Sequence, residues 1–266
     1  MHYNEAMPAR ERSFRTEAVI LRHSDWGEAD RLLWLYSREL GKVRAIAKGV
    51  RKMRSRKAGH LEPFTRAILL LARGRDLLIV TQADTVEAYL PMREDLLRLS
   101  YAAYMVELLD RFTYEEDENQ ALYRLLTDSL ARLNHGLDAA LVVRYYEIRL
   151  LDLLGYRPQL FTCVKCGEAI LPVDQFFSIT EGGVLCPKCG ARSPEGLPVT
   201  VNELRFLRHF QRSSFTEAAR ARPSAEENLR MERLVQRYVT YILERGLNTP
   251  AFIRQVQEKP PTHSEV

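Results

Sequence analysis

Four cysteines constrain this chain more than any other feature. They stand in two pairs, Cys163-Val164-Lys165-Cys166-Gly167 and Cys186-Pro187-Lys188-Cys189-Gly190, with 19 residues between the pairs. A two-residue gap lets both sulfurs of one turn face a single ion at about 2.3 Å, and two such turns close a tetrahedral zinc shell. The glycine after each pair tolerates a positive φ, so backbone N–H groups can turn toward the thiolates. Lys165 and Lys188 offset the remaining negative charge. The competing readings are two disulfides or a redox dithiol. Disulfides do not suit a chain without a secretory signal, and a redox dithiol would be a single motif at a strand-to-helix junction. Four thiolates leave no open position for water, and no His-x-Glu accompanies them as in a nucleotide deaminase. One structural zinc ion on Cys163, Cys166, Cys186 and Cys189 is therefore expected.

The second constraint is charge placement. The net charge of the 266 residues is only +4, yet residues 1–80 hold 17 Lys/Arg against 9 Asp/Glu. The sixteen residues from Lys42 to Lys57 include eight basic residues and no acidic one: Lys42, Arg44, Lys48, Arg51, Lys52, Arg54, Arg56 and Lys57. So many like charges repel one another, and a fold keeps them where a polyanion relieves the repulsion. A flexible Arg/Lys loop flanked by Gly49 and Gly59 can follow a phosphate backbone, releasing counterions as it does so. Arg22, Arg73 and Arg75 could join the same face. Trp26, Trp34 and Tyr36 are candidate base-stacking platforms, although strand aromatics more often fill a core. A solvated loop, an anionic membrane and an acidic protein are the alternatives, but the run lacks the apolar face of an interfacial helix.

The pattern along the chain changes once. Between Phe14 and Ala83, five short β-rich segments (Arg15–Leu21, Arg31–Ser37, Val43–Lys48, Phe64–Leu71, Leu77–Ala83) are separated by turn residues, among them Asp25-Trp26-Gly27 and Leu40-Gly41-Lys42. Five strands with one long crossover loop fit a small barrel of the OB type, and an SH3-like barrel fits almost as well on periodicity alone. After Pro91 the period is helical. One helix is expected to start near Pro91, and others over about 119–133, 138–154, 201–210 and 224–245. Gly155 and Gly246 serve as stops, and Thr200 with Glu203 forms a capping box. The expected fold is α+β and multidomain: a disordered tail (1–13), a nucleic-acid-binding barrel (14–84), a helical domain in two parts (85–160 and 196–254) around a four-cysteine zinc finger (161–195), and a disordered tail (255–266).

No phosphate-binding glycine loop, dinucleotide fingerprint or nucleophile elbow is present, and the six histidines are scattered. The acidic run Glu115-Glu116-Asp117-Glu118 precedes a helix and is explained by the helix dipole. No catalytic residue is expected. The longest apolar run, Ala67–Ala72, is far short of a membrane span, and no apolar segment follows the polar start, so a cytoplasmic protein without membrane contact is expected.

Two regions carry a family likeness. Glu17-Ala18-Val19-Ile20-Leu21-Arg22, Gly27-Glu28-Ala29-Asp30-Arg31-Leu32-Leu33, Leu40-Gly41-Lys42 and Ala45-Ile46-Ala47-Lys48-Gly49-Val50 resemble the RecO family of recombination mediators, as does Leu153-Leu154-Gly155-Tyr156-Arg157-Pro158 running into Cys163-Val164-Lys165-Cys166-Gly167. The resemblance covers about Phe14 to Phe252. It implies an OB-fold followed by a helical domain with an inserted zinc finger, and a non-enzymatic, nucleoid-associated role in recombinational repair. It further implies binding of single- and double-stranded DNA, annealing of complementary strands, association with RecR, and loading of RecA onto strands coated by the single-strand-binding protein. The family's basic surface falls here on Lys48, Arg51, Lys52, Arg54, Arg56 and Lys57, with Arg22, Lys42 and Arg44 nearby. Some members lack the cysteines, so zinc is not essential to the shared function. The alternatives are a zinc-finger RNA-binding or transcription-associated module, which would prefer structured RNA, and a metal-dependent nuclease.

Overall fold

The alternation of apolar and polar residues becomes five strands, β1 (Ser13–Trp26), β2 (Asp30–Ser37), β3 (Gly41–Ala47), β4 (Arg66–Arg73) and β5 (Leu78–Glu87). In the computed structural model, which describes residues 13–258, they close into a barrel in the order β1-β2-β3-β5-β4. Every neighbouring pair is antiparallel except β3 and β5, which run parallel because the long connection after β3 crosses the barrel before β4 begins. Period-2 geometry decides what faces inward. On β3, Val43, Ala45 and Ala47 are buried with Leu33, Leu35, Leu69, Leu71 and Val80, while Arg44 stays exposed between them. β1 runs on to Trp26, so the first turn begins at Gly27, whose φ of +56 the turn requires.

The chain divides into two compact units, one comprising 13–88 with 113–123, the other 89–112 with 124–258. The helical unit begins with α1 (Leu90–Glu94) and α2 (Leu96–Phe112). The single helix expected from Pro91 is thus two. Asp95 leaves helical geometry and its carboxylate accepts from the amides of Leu97 and Arg98, which caps α2 afresh. Next come α3 (Gln120–Asn134) and α4 (Ala139–Leu153), the latter capped by Asp138. A three-stranded sheet of β6 (Gln175–Ser178), β7 (Gly183–Leu185) and β8 (Leu197–Val199) follows in the order β7-β6-β8, with α5 (Pro187–Gly190) between β7 and β8.

The unit closes with α6 (Val201–Arg212), α7 (Phe215–Ala218), α8 (Ala225–Leu243) and α9 (Thr249–Glu258). Thr200 and Glu203 form the expected capping box. Helix α8 stops at Leu243, with Glu244 taking the left-handed cap position anticipated for Gly246. Of the two expected tails, Ser13 lies in β1 and residues 255–258 lie in α9, while residues 1–12 and 259–266 fall outside the described residues.

The core of the helical unit contains a charged knot. Arg144 and Glu147, one turn apart on α4, pair with each other in full burial. Glu147 also accepts the Tyr104 hydroxyl at 2.5 Å, and Arg144 reaches Glu232 at 3.7 Å. Each charge therefore has a partner, the condition for keeping charges inside a core.

Candidate metal centre and nucleic-acid interface

The four cysteine sulfurs lie within 4.8 Å of one another, and none is in a disulfide. Cys163 and Cys166 sit on a tight turn closed by the Gly167 amide on the Cys163 carbonyl at 2.9 Å, while Cys186 is the N-cap of α5 and Cys189 lies within that single turn. Cys166 Sγ and Cys186 Sγ are 3.8 Å apart, the edge of a sulfur tetrahedron around an ion with bonds of about 2.3 Å. The Cys186 amide donates to Cys163 Sγ at 3.3 Å. Burial pushes the Cys163 thiol up, but amides of Cys186, Cys166 and Lys165 outweigh it and bring the thiol down to about 6. Four converging soft donors with amides aimed at a thiolate fit a zinc ion, and the donor set is already complete at four. Bound there, zinc would supply a cross-link between the two turns.

Of the two glycines expected to take a positive φ, one does. Gly167 has the positive φ of +76. Gly190 does not. It is glycine because an added Cβ would come within 2.2 Å of the Phe176 ring on β6, so α5 can lie this close to the sheet only without a side chain there.

In the barrel unit, the basic run divides into groups. Lys48, Lys52, Arg54 and Arg56 are exposed and make no ion pair among the described residues. Arg51 is also exposed but reaches Asp25 at 3.3 Å and the Glu28 carbonyl at 3.4 Å. Lys57 turns inward, its Nζ donating to the Val80 carbonyl at 3.0 Å and to that of Lys48 at 3.4 Å, and burial lowers its ammonium pKa. Gly49, which opens the loop, donates its amide to the Asp30 carboxylate at 2.7 Å. The loop is thus tied at both ends, with its middle left to solvent.

Arg22, Trp34 and Arg44 form a row across β1, β2 and β3. The Arg22 guanidinium lies 3.5 Å over the Trp34 ring, so that face of Trp34 is already stacked. Tyr36 is fully buried, and the stacking role considered for it is excluded. Trp26, 51% exposed at the end of β1, remains an open aromatic surface. Arg44 pairs with Glu115 at 2.7 Å.

That last contact corrects the reading of the acidic run. Glu115-Glu116-Asp117-Glu118 is not in the first turn of α3, which holds no acidic residue and is capped by Asn119. Instead the segment lies on β3, where Lys42 and Glu115 form a parallel bridge. Nothing local in the sequence shows this, since the partners are more than seventy residues apart.

No helix among the described residues is long and apolar enough to cross a membrane. Residues 11–89 match the family model described as Recombination protein O N terminal, and residues 93–251 match Recombination protein O C terminal. Among curated proteins, the chain is 41% identical to the DNA repair protein RecO of Roseiflexus sp. (strain RS-1), over 96% of this chain and 90% of that one. It is 38% identical to the protein of the same name from Pelotomaculum thermopropionicum (strain DSM 13744 / JCM 10971 / SI), over 93% and 96%. With that of Dehalococcoides mccartyi (strain ATCC BAA-2266 / KCTC 15142 / 195) the identity is 35%, over 87% and 91%.

Proposed function

The chain belongs to the RecO family, and from that premise we propose that it is a DNA-binding mediator of recombinational repair, acting at the nucleoid without catalysing a covalent step. The observation that carries the reading is the Lys48–Lys57 loop, in which four exposed cations, Lys48, Lys52, Arg54 and Arg56, make no ion pair among the described residues. A folded protein leaves such a cluster uncompensated at a cost in self-repulsion, and a phosphate backbone removes that cost while releasing counterions. The strand order β1-β2-β3-β5-β4 with a parallel β3–β5 contact supports an OB-fold as the scaffold.

Mechanistically, the loop neutralises backbone phosphates and Trp26 offers a ring on which a base can stack. Neutralised strands approach one another more readily, and annealing then follows from base pairing alone. Single- and double-stranded DNA are the substrates. RecR and the single-strand-binding protein are partners, and RecA is loaded as a consequence.

The test is fluorescence anisotropy of a labelled single-stranded oligonucleotide across a salt series. The variant K48Q/K52Q/R54Q/R56Q is expected to bind more weakly, with a slope of log K against log salt shallower by about 3, at about 0.7 per lost phosphate contact. An unchanged slope would move the grip elsewhere. Absence of wild-type binding would overturn the reading, and preference for structured RNA without strand annealing would replace it by the RNA-binding one.

A further inference from the structure

The segment between α2 and α3 runs along β3 as if it were an additional partner strand. Beside the Lys42–Glu115 bridge, the Glu116 amide donates to the Lys42 carbonyl at 2.8 Å and the Glu115 carboxylate accepts from Arg44 Nε at 2.7 Å. Both segments are shaped for this approach. Glu116 adopts a φ of +61, rare for a residue with a side chain. Gly41 has a φ of +65, and a Cβ there would fall 1.9 Å from the Asp117 carbonyl oxygen. Asp117 also adds to burial in raising the Tyr36 phenol pKa, which places its negative charge close to β2. A groove of about 220 Å³ beside this ion pair is lined by Arg44, Glu115, Glu116, Arg73, Arg75 and Asp76.

β3 thus carries opposite conditions at its two ends. Its last residue, Ala47, leads into the loop of open cations. Its first residues, about 20 Å away along the strand, lie beside the backbone of Glu115–Asp117, with the Glu115 carboxylate on Arg44. A carboxylate paired with arginine on a basic face presents the same chemistry as the phosphates such a face would take.

We propose that Glu115–Glu118 is a built-in competitor for nucleic-acid phosphates: it occupies the Lys42–Arg44 end of β3 and confines the footprint to the Lys48–Lys57 end until a bound strand displaces it. A strand that does so gains two further cationic contacts. The inference rests on the nucleic-acid reading above.

The experiment compares wild type with the strap variant E115Q/E116Q/D117N/E118Q and with a control of equal charge change, E94Q/E181Q/E195Q/E244Q, whose side chains are exposed elsewhere. Binding of a labelled oligo-dT is followed across potassium chloride concentrations. The strap variant is expected to bind at least fivefold tighter than the control at low salt, with a slope steeper by about 1.4 for two added contacts. Arg44→Ala is expected to cost severalfold more affinity in the strap-variant background than in the wild-type one. Equal affinities and slopes for strap variant and control, or equal costs of Arg44→Ala, would overturn the competitor while leaving the loop reading intact. No binding by any of the three would remove the nucleic-acid reading and this inference with it. If the fourfold variant folds poorly, Glu115→Gln against Glu94→Gln carries the same comparison through the single ion pair.

Discussion

Lys57 and Arg56 are neighbours of the same charge, and the fold uses them differently. Lys57 commits its ammonium to backbone carbonyls inside the barrel unit, whereas Arg56 is exposed with no ion pair among the described residues. Lys57→Gln is expected to lower barrel stability by about 1 kcal/mol, a hydrogen bond's worth, and to leave the salt slope of DNA binding unchanged. Arg54→Gln with Arg56→Gln is expected to do the reverse, and thermal melting with anisotropy checks both. Trp26→Ala is expected to weaken single-stranded DNA binding by about 1–2 kcal/mol at every salt concentration without altering the slope, because stacking releases no counterions. In the helical core, burial pushes Glu147 up to about 7 from an ordinary 4.5, against the pull of Arg144 and the Tyr104 hydroxyl. The folded state therefore holds a proton the unfolded chain has released, and this residue's contribution to stability falls as pH rises from about 4.5 to about 7 and is flat above. The stability difference between wild type and Glu147→Gln, followed by denaturant unfolding against pH, should decline over that window. Arg144→Ala strands two carboxylates and should cost about 3 kcal/mol.

At the scale of elements, local signals were faithful wherever the physics is local. The Thr200–Glu203 capping box, the Asp138 cap and the Gly27 and Gly41 turns are all readable from a few adjacent residues. The two Cys-x-x-Cys turns are as well, because a two-residue gap is itself the geometry of a metal knuckle. What reads poorly is where one helix ends and another begins. The break at Asp95 and the separate helix α9 depend on caps and packing within the helical unit rather than on periodicity. The same holds for Gly190, whose need to be glycine comes from Phe176 on another element. Gly190→Ala is expected to lower the melting temperature and weaken zinc retention. Cys166→Ser is expected to release zinc, measured with a chromogenic chelator, and unchanged metal content would sink the structural-zinc assignment.

At the scale of the whole molecule, barrel and helical body are separate compact units, and the four-cysteine segment belongs to the second. Stripping zinc with a strong chelator should therefore lower the thermal stability of the helical unit and leave the salt slope of DNA binding untouched. A slope that fell with the metal would place phosphate contacts on the zinc segment. The order of amino acids alone settles the material: four thiolates at knuckle spacing, a barrel-sized set of strands before a helical body, and a surplus of cations in one sixteen-residue stretch. These depend on spacing and composition, which are properties of neighbours in the chain. How that material is used is settled only in the folded molecule. Folding buried Tyr36, covered one face of Trp34 with Arg22, turned Lys57 inward and laid Glu115 on Arg44. Those outcomes are set by contacts between segments far apart in the chain, whose electrostatic and packing energies act only once folding has brought them within a few ångströms.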